Sequence, residues 1–265
     1  MAPEARPPFK FLFITQDDPF FVRLFFDEFF RIYEQLDDLQ GVVLAKAMGK
    51  KSTKDLARQM YDFYGPLNFL RVGCSYAGYK LGARLNGSGR FSIEGLCRAR
   101  GIPVIHTNRV NAPEFLAELQ PMGLDLIISV AAPVIFKADL IRLPRLGCIN
   151  IHNGMLPRYR GMLPNFWQMY HGERSVGITV HEMNEKLDDG RIILQEPVAI
   201  EPGETLDSLI RRTKRIGAHV MVRAIEALRT GTAAPRENPA TEGTYFSFPT
   251  RADVREFRHR GYRVR

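Results

Sequence analysis

The run CINIHNGMLPRYRG, from Cys148 to Gly161, joins a short apolar strand to a loop that contains glycine and proline. Its first five residues have the apolar pattern of a buried strand, and the loop residues restrict how the backbone continues. Side chains two residues apart on a strand point to the same side, so the Asn150 amide and the His152 imidazole project together. An amide can hydrogen-bond to a developing oxyanion, and an imidazole can move protons near neutral pH. This strand end is therefore a candidate site for chemistry.

Segments typical of strands and of helices alternate on either side of this run. Apolar runs predict strands at residues 10–15, 39–45, 104–106 and 124–130. Helices are predicted at 19–36, 53–61, 91–100, 111–119 and 205–228, with Asn111 as part of a capping box. The alternation favours an α/β fold with a Rossmann-like, doubly wound and mostly parallel sheet. Two further strands, predicted at 175–183 and 191–200, flank the turn Leu187-Asp188-Asp189-Gly190 and predict an antiparallel or mixed extension of that sheet.

The helix predicted at 19–36 is crowded with phenylalanine. We favour core packing as the explanation. The alternative is a surface that faces a partner or a membrane, because the apolar arc is wider than one packed face requires. Residues 73–89 are rich in glycine and poorly periodic. We interpret 50–90 as an insertion between a strand and a helix, with a mobile loop as one interpretation, and we expect it to help choose the acceptor rather than the donor.

Composition excludes several classes of protein. The chain has 265 residues and a net charge of +8, with three cysteines that form neither a Cys-x-x-Cys pair nor a metal-ligand spacing. A disulfide scaffold and a zinc ribbon are not indicated, and a reducing, cytoplasmic location is expected. No apolar run approaches the roughly 20 residues that cross a bilayer, and the N-terminal region does not resemble a signal peptide.

The positive charge is concentrated near the end of the chain. Residues 250–265 contain six arginines and two acidic residues. A solvated face is the favoured interpretation for most of them, and the alternatives are an anchor for a phosphorylated substrate, such as a nucleotide phosphate, and contact with a nucleic acid. The segment 244–249 predicts a short strand or hook that packs on the domain, and we expect Pro249 to turn the chain away from it.

The loop after the first predicted strand argues against a dinucleotide. It reads Thr15-Gln16-Asp17-Asp18-Pro19, without glycines and with acids where a pyrophosphate would lie. Cys148 is the competing nucleophile beside Asn150. It lies inside the strand without a dedicated base, so a buried, inert thiol is the favoured interpretation.

The pattern as a whole resembles the folate-dependent formyltransferases, a family that includes glycinamide ribonucleotide formyltransferase, methionyl-tRNA formyltransferase and the sugar N-formyltransferases. The family pattern is Asn-x-His, a Leu-Pro-x-x-x-Gly loop and a later Asp-x-Gly. The matching residues here are Asn150, His152, Leu156-Pro157, Gly161, Asp188 and Gly190. The resemblance is specific over about 124–200, and Asn153-Gly154 departs from the small pair that many members have.

The resemblance implies a formyltransferase catalytic domain over residues 1–231 and a C-terminal tail over 232–265. It implies Asn150, His152 and Asp188 as the catalytic residues, no metal, and N10-formyltetrahydrofolate as the formyl donor. The residues it implies for donor binding are Val130, Ala131, Ala132, Pro133, Ile135, Met183 and Leu187. Those expected on the acceptor side are Asn153, Gly154, Met155, Arg160, Gly161 and His181.

The acceptor is expected to be a primary amine, and by elimination an amino sugar carried on a nucleotide. The tail is too short for the additional domain of methionyl-tRNA formyltransferases, and the first loop lacks the glycines of glycinamide ribonucleotide formyltransferases. The alternatives are an enzyme similar to methionyl-tRNA formyltransferase, a formyltetrahydrofolate hydrolase, and a catalytically silent folate-binding protein. The sequence leaves open whether the chain forms a homodimer.

Overall fold

The computed structural model describes residues 8–46, 53–85 and 92–265. Its strands are β1 (Phe11–Thr15), β2 (Leu39–Ala45), β3 (Val104–Thr107), β4 (Leu126–Val130), β5 (Cys148–His152), β6 (Arg160–Gly161), β7 (Ser175–Glu182), β8 (Ile192–Ala199) and β9 (Tyr245–Phe246). Within these residues, seven strands form one sheet in the order β3-β2-β1-β4-β5-β7-β8. The first five strands pair in parallel, and β7 and β8 extend the sheet antiparallel. The predicted fold class, a Rossmann-like sheet with a mixed extension, is confirmed.

Helices lie on both faces of the sheet. They are α1 (Val22–Ile32), α2 (Thr53–Tyr64), α3 (Pro66–Leu85), α4 (Ile93–Arg98), α5 (Pro113–Leu119), α6 (Ala138–Arg142), α7 (Pro164–Tyr170), α8 (Leu206–Arg229) and α9 (Arg251–His259). Alternate side chains of β1 enter two separate cores: Phe11 and Phe13 pack towards α1 and α8, while Leu12 and Ile14 pack towards α5 and α6. Burial on both faces explains why β1 and β4 are continuous apolar runs.

The phenylalanines of α1 belong to the core. Phe25, Phe26 and Phe29 are almost completely buried, and the ring of Phe13 lies 5.0 Å from that of Phe29 and 5.1 Å from that of Phe26. Edge-to-face packing of this kind stabilises a core beyond the area that it buries. Core packing, the favoured interpretation of this helix, is therefore correct.

The insertion is helical where the structure describes it. The prediction of a loop over 73–89 is wrong, because α3 continues to Leu85; residues 50–52 and 86–90 lie outside the described residues. Gly73 and Gly78 have open space around their α-carbons. Apolar residues occur on more than one side of α3, so no single apolar period dominates, and this explains why the periodicity of the sequence did not reveal the helix.

The predicted capping box at Asn111 is also wrong. The residue before α5 is Ala112, which makes no side-chain cap. The Asn111 amide instead donates to the Ile135 carbonyl at 2.9 Å, and its oxygen accepts from the Lys137 amide at 2.8 Å. Asn111 therefore fixes the loop that follows β4.

The C-terminal segment packs against the rest of the domain. Strand β9 pairs in parallel with β6, and after Pro249 the chain forms α9 instead of turning away. The ring of Phe257 stacks on Phe166 at 4.6 Å, and the Val264 carbonyl accepts from the amide of Asp207. Among the described helices, none is long and apolar enough to cross a membrane.

Candidate active site

Strand β5 and the turn before β8 bring three of the predicted side chains together. Asn150 and His152 lie on the same side of β5, and the turn returns the carboxylate of Asp188 to them. His152 Nδ1 lies 3.6 Å from Asp188 Oδ2, and both side chains are buried. The site therefore contains an amide, an imidazole and a carboxylate group at the carboxyl end of a buried strand.

The hydrogen bond on the far side of His152 defines its tautomer. His152 Nε2 lies 2.7 Å from the carbonyl oxygen of Tyr159. A carbonyl oxygen can only accept, so Nε2 carries the proton and donates it. In the neutral ring, the lone pair is then on Nδ1, the atom that faces Asp188.

His181, on the neighbouring strand β7, orients Asn150. Its Nδ1 lies 2.7 Å from the carbonyl oxygen of Glu182 and must donate to it, which leaves Nε2 as the acceptor in the neutral ring. Asn150 Nδ2 donates to that Nε2 at 3.1 Å. One amide hydrogen of Asn150 is used in this bond, and the second is left for a group bound in the site.

The turn of Asp188 is held in an uncommon backbone conformation. Its φ is +52°, and Ala131 and Tyr159 also have positive φ, at +51° and +63°. Non-glycine residues in this region cost on the order of 1 kcal/mol or more, and they persist where the surroundings fix them. Here the amide of Gly161 donates to Asp188 Oδ2 at 2.8 Å. A β-carbon on Gly161 would collide with the Phe246 carbonyl.

The charges of this cluster shift one another's pKa values. Burial opposes ionisation of Asp188, but the neighbouring imidazoles of His152 and His181 and the hydrogen bond from the Gly161 amide outweigh it, so the pKa of Asp188 lies well below its usual range. Burial lowers the pKa of His152, against the opposing carboxylate of Asp188. The site thus favours a carboxylate beside a neutral imidazole near neutral pH.

A lysine adds a positive charge at the edge of the site. Burial lowers the pKa of the Lys214 ammonium, with the carboxylate of Asp18 opposing the shift, and its charge contributes to the lowered pKa of His152. The Lys214 side chain makes no hydrogen bond or ion pair with any residue in the described ranges. It is an available cation within electrostatic reach of the imidazole.

Three polar side chains hold the backbone of the loop after β5. Gln168, fully buried on α7, accepts from the amides of Met155 and Gly177 and donates to the Asn153 carbonyl. Thr179 Oγ1 donates to the Gly154 carbonyl at 2.6 Å, and Gln195 Nε2 donates to the Leu156 carbonyl at 2.9 Å. With these carbonyls and amides satisfied, the loop that leads to Tyr159 is rigid.

The C-terminal segment supports the same loop from the other side. Thr244 Oγ1 accepts from the Tyr159 amide at 2.9 Å, and the Arg160 amide donates to the Thr244 carbonyl at 2.8 Å. Asn238 Nδ2 donates to the carbonyls of Asp188 and Gly190, each at 3.0 Å. The ring of Phe246 stacks on Trp167 at 4.7 Å. We name Asn238, Thr244 and Phe246 the C-terminal support.

Two residues expected on the acceptor side have side chains that are bonded elsewhere in the protein. The Arg160 guanidinium donates to Asp189 at 2.6 Å and to Asn238 at 3.1 Å. The Asn153 amide donates to Thr213 on α8 at 3.0 Å. Gly154 has a steric role, because a β-carbon there would lie 2.5 Å from His152 Nε2. Met155 is half-buried beside it.

The residues expected to bind the donor lie in two loops that touch. The amide of Ala138 donates to Glu185 Oε1 at 3.3 Å, and the Met183 amide donates to the Cys148 carbonyl at 2.8 Å. Ile135 and Leu187 are exposed, while Ala131, Ala132 and Pro133 are half-buried and Val130 faces the core. Exposed apolar side chains next to small residues suit a flat ring system.

Cys148 is buried away from the site, as favoured by the sequence. Its Sγ is 3.5 Å from the Leu140 carbonyl, and burial raises the pKa of the thiol. Sequence reasoning missed Tyr159, Gln168 and the C-terminal support. Gln168 carried a signal, since it is a polar residue within the apolar run PNFWQMY, whereas Tyr159 contributes only its backbone.

The family can be assigned from comparison with known proteins. The family model described as Formyl transferase matches residues 89–225, more than half of the chain and a range that includes Asn150, His152 and Asp188. The chain belongs to the formyl transferase family. A curated relative, the methionyl-tRNA formyltransferase of Lachnospira eligens, is 38% identical over 147 residues, 56% of this chain and 47% of the relative. The chain spans about half the length of the curated relatives that it matches.

Solved formyl transferase structures share the fold. Glycinamide ribonucleotide transformylase 1 from Symbiobacterium toebii superposes with a TM-score of 0.58 at 17% identity, covering 90% of this chain and 98% of that one. An N-formyltransferase from Helicobacter canadensis superposes with a TM-score of 0.58 at 16% identity, covering 90% of this chain and 71% of that one. At these identities the similarity establishes the architecture.

Proposed function

We propose that the protein transfers a formyl group from N10-formyltetrahydrofolate to a primary amine. The observation that carries the proposal is the buried arrangement of Asn150, His152 and Asp188 at the end of β5, in a member of the formyl transferase family. The arrangement offers one hydrogen-bond donor for an oxyanion and one neutral base beside a carboxylate. These are the groups that transfer of a formyl group to an amine requires.

Asn150 stabilises the negative oxygen that forms when the amine attacks the formyl carbon. Its first amide hydrogen is bonded to His181, so the amide cannot rotate freely, and the second hydrogen is directed by that bond. A donor fixed before the reaction stabilises the developing charge without reorganisation. In this proposal His181 is a positioning residue.

His152 accepts the proton of the attacking amine at Nδ1. Its Nε2–H is already engaged with Tyr159, so Nδ1 is the basic atom of the neutral ring. The imidazolium that forms is stabilised by the negative charge of Asp188, whose carboxylate lies 3.6 Å from Nδ1. The carbon–N10 bond then breaks, and the proton passes to N10 as the folate leaves. Bond formation, bond cleavage and proton transfer balance without a metal.

The donor fits the two touching loops beside these residues. Small side chains at Ala131 and Ala132 let a flat ring approach the backbone, and the exposed Ile135 and Leu187 supply apolar surface. Asn111 holds the first of these loops in place. We assign the pterin to this position.

For the acceptor, we propose an amino sugar carried on a nucleotide. The available ammonium of Lys214 favours an acceptor with a phosphate group, because an anion there would pair with a half-buried cation. The second candidate is methionyl-tRNA, favoured by the curated relatives, which are named methionyl-tRNA formyltransferases; that of Lachnospira eligens is 38% identical over 147 residues. Both acceptors carry phosphate, so Lys214 alone does not separate them.

A formyl-transfer assay separates these candidates. Purified protein and N10-formyltetrahydrofolate are incubated with a nucleotide-linked amino sugar, the same sugar without nucleotide, methionyl-tRNA, or no acceptor. Mass spectrometry then detects the formylated product. Formylation of the nucleotide-linked sugar supports the proposal. Formylation of methionyl-tRNA alone would identify methionyl-tRNA as the acceptor instead. Release of formate without acceptor indicates a hydrolase, and folate binding without turnover indicates a silent binding protein.

A further inference from the structure

Helix α3 exposes apolar side chains that a protein of this size would ordinarily bury. Leu67 and Leu70 are 61% and 64% exposed, and Leu81 is also exposed. Where the structure describes α3 side chains, none belongs to either hydrophobic core. Scattered exposed leucines are common, but a 20-residue apolar helix outside the core needs another explanation.

The exposed residues form one continuous stripe. Leu67, Leu70, Cys74, Ala77 and Leu81 are spaced alternately by three and four residues, and all five are exposed. This spacing places side chains on one side of a helix. On α2, Leu56 and Tyr61 are also exposed, and the ring of Tyr61 lies 5.7 Å from that of Phe69 on α3. We name Leu56, Tyr61, Leu67, Leu70 and Leu81 the apolar face.

The opposite side of the helix pair is anchored to the domain. Phe63 of α2 is buried, with its ring 5.3 Å from that of Phe248. The ring of Phe20 lies 5.4 Å from that of Tyr79 on α3. Because α2 and α3 are both held in this way, α3 lies along the surface of the domain with its stripe directed outwards.

The charges around the apolar face are predominantly positive. Among the α3 residues whose side chains the structure describes, Arg71 is basic and exposed, and none is acidic. Beside it, a cavity of about 230 Å³ is lined by Arg251, Arg255 and Arg258 of α9, with Asp62 as an acidic neighbour. A second cavity of about 280 Å³ is lined by Arg258, Arg263 and Arg265.

Two of these arginines are available for an external anion. The guanidinium groups of Arg255 and Arg265 make no hydrogen bond or ion pair with any residue of the described ranges. Arg251 approaches Asp62 only at 3.9 Å. Arg258, in contrast, donates to the carbonyls of Phe63 and Tyr64 and connects α9 to α2. Planar guanidinium groups bind phosphate oxygens through paired hydrogen bonds.

We propose that the apolar face and the neighbouring arginines dock the protein on the surface of an anionic lipid bilayer. The leucines and Tyr61 enter the boundary between headgroups and acyl chains, while the arginines meet the phosphates. The proposal does not depend on the formyl-transfer activity.

Charge complementarity favours a lipid surface over a second copy of the chain. Pairing two copies through this face would bring their arginines together, and like charges across an interface oppose association. The middle of the stripe, at Cys74 and Ala77, also offers little side chain for interlocking with another helix. An anionic membrane satisfies both the apolar and the positive parts of the face.

Vesicle flotation of the full chain tests the proposal. The vesicles contain phosphatidylcholine alone or with about a third phosphatidylglycerol. We expect the protein to float with the anionic vesicles, and added salt to reduce its binding. The double variant Leu67→Ser/Leu70→Ser should bind at least about tenfold more weakly, because it removes two of the inserted side chains. Arg251→Ser/Arg255→Ser should bind the anionic vesicles at least about tenfold more weakly, since each arginine near such a surface contributes roughly fivefold.

Matched controls lie elsewhere on the surface. Tyr245, 63% exposed and outside the apolar face, provides Tyr245→Ser as the control for the leucines. Arg142, with a side chain 72% exposed against 71% for Arg251, provides Arg142→Ser as the control for the arginines. Both control variants should float like the parent. Circular dichroism and thermal melting verify that every variant is folded.

Three outcomes would overturn the proposal. The parent protein could remain unbound with both kinds of vesicle at low salt. The leucine variant could float as well as the parent. The parent could be a dimer that ignores vesicles while the leucine variant is a monomer, in which case a second copy covers the face.

Discussion

His152 and Tyr159 are joined by a hydrogen bond of 2.7 Å between the imidazole Nε2 and the main-chain carbonyl oxygen. The bond fixes the proton on Nε2 and turns the lone pair of Nδ1 towards Asp188. It also connects catalysis to the loop, because Tyr159 is held by Thr244 and Gly161 is bonded to Asp188. Variants that disturb the loop should therefore change the rate of the chemical step more than the binding of the donor.

The three side chains of the site should each be needed for turnover. Asn150→Ala removes the oxyanion donor, His152→Ala the base, and Asp188→Asn the negative charge that stabilises the imidazolium. We expect each substitution to lower kcat by a factor of about 10² or more, with little change in folate affinity. Single-turnover formylation and equilibrium binding of the folate measure the two quantities. Near-normal turnover in all three variants would refute the assignment.

Gly154 should be intolerant of even a methyl group. In Gly154→Ala the new carbon would lie 2.5 Å from His152 Nε2 and 2.7 Å from the Tyr159 oxygen, in collision with both atoms of the central hydrogen bond. We expect a loss in kcat of at least about tenfold, because catalytic groups tolerate little displacement. Steady-state kinetics and melting temperature are compared with those of the parent.

Gly73→Ala is the matched control for that substitution. Gly73 lies inside α3 with nothing near its α-carbon, so alanine should raise stability by about 0.5–1 kcal/mol and leave kcat unchanged. If Gly154→Ala keeps full activity, the contact between the loop and His152 has no catalytic role.

The sequence was sufficient to predict the parts of the site that depend on local patterns. The period of two places Asn150 and His152 on one side of β5, and the turn between two strand-like runs returns Asp188 to them. The alternation of strands and helices predicts the sheet for the same reason. Each of these inferences depends on side-chain periodicity or on residues that are close in the chain.

The remaining features depend on contacts that no local pattern encodes. Tyr159 acts through its carbonyl oxygen, which every residue has, and Asn238 reaches Asp188 across 50 residues of sequence. Helix α3 escaped prediction because its apolar residues occur on more than one side of the helix and glycines interrupt them, so no single apolar period dominates the sequence. The sequence predicted a solvated tail for the arginine-rich segment, whereas its Phe257 is buried against Phe166. That contact depends on the tertiary fold, so no local pattern could reveal it.

Activity should fall at acidic pH with a midpoint below the usual histidine value. Burial lowers the pKa of His152, so the imidazole remains a neutral base until the pH falls below about 6.5, the pKa of an unperturbed histidine. The acidic limb of kcat/KM, which reports the free enzyme, should therefore lie below about pH 6.5. A limb clearly above that pH would contradict the neutral buried imidazole.

The same shift should make stability depend on pH. Below about pH 6.5 His152 of the unfolded chain binds a proton, whereas buried His152 of the native protein stays neutral because its pKa is lower. The contribution of His152 to the free energy of unfolding is therefore complete above about pH 6.5. It is lost as the pH falls towards the pKa of His152 in the folded protein. Urea unfolding at pH 7 and pH 5.5 should show a smaller decrease in unfolding free energy for His152→Gln than for the parent. Equal decreases in the two proteins would exclude a shift at His152.

The C-terminal support should position Asp188 rather than only stabilise the fold. Asn238→Ala leaves the carbonyls of Asp188 and Gly190 without their donor, at a cost of about 1–3 kcal/mol. We expect kcat to fall by about tenfold or more, while KM for the donor changes little. The carboxylate of Asp188 raises the pKa of His152, so its displacement should move the acidic limb of kcat/KM to lower pH. Glu237→Ala, an exposed neighbour, is the control and should retain the parent's rate and pH profile. A purely structural role for Asn238 predicts a lower melting temperature with an unchanged pH profile, and that result would contradict positioning.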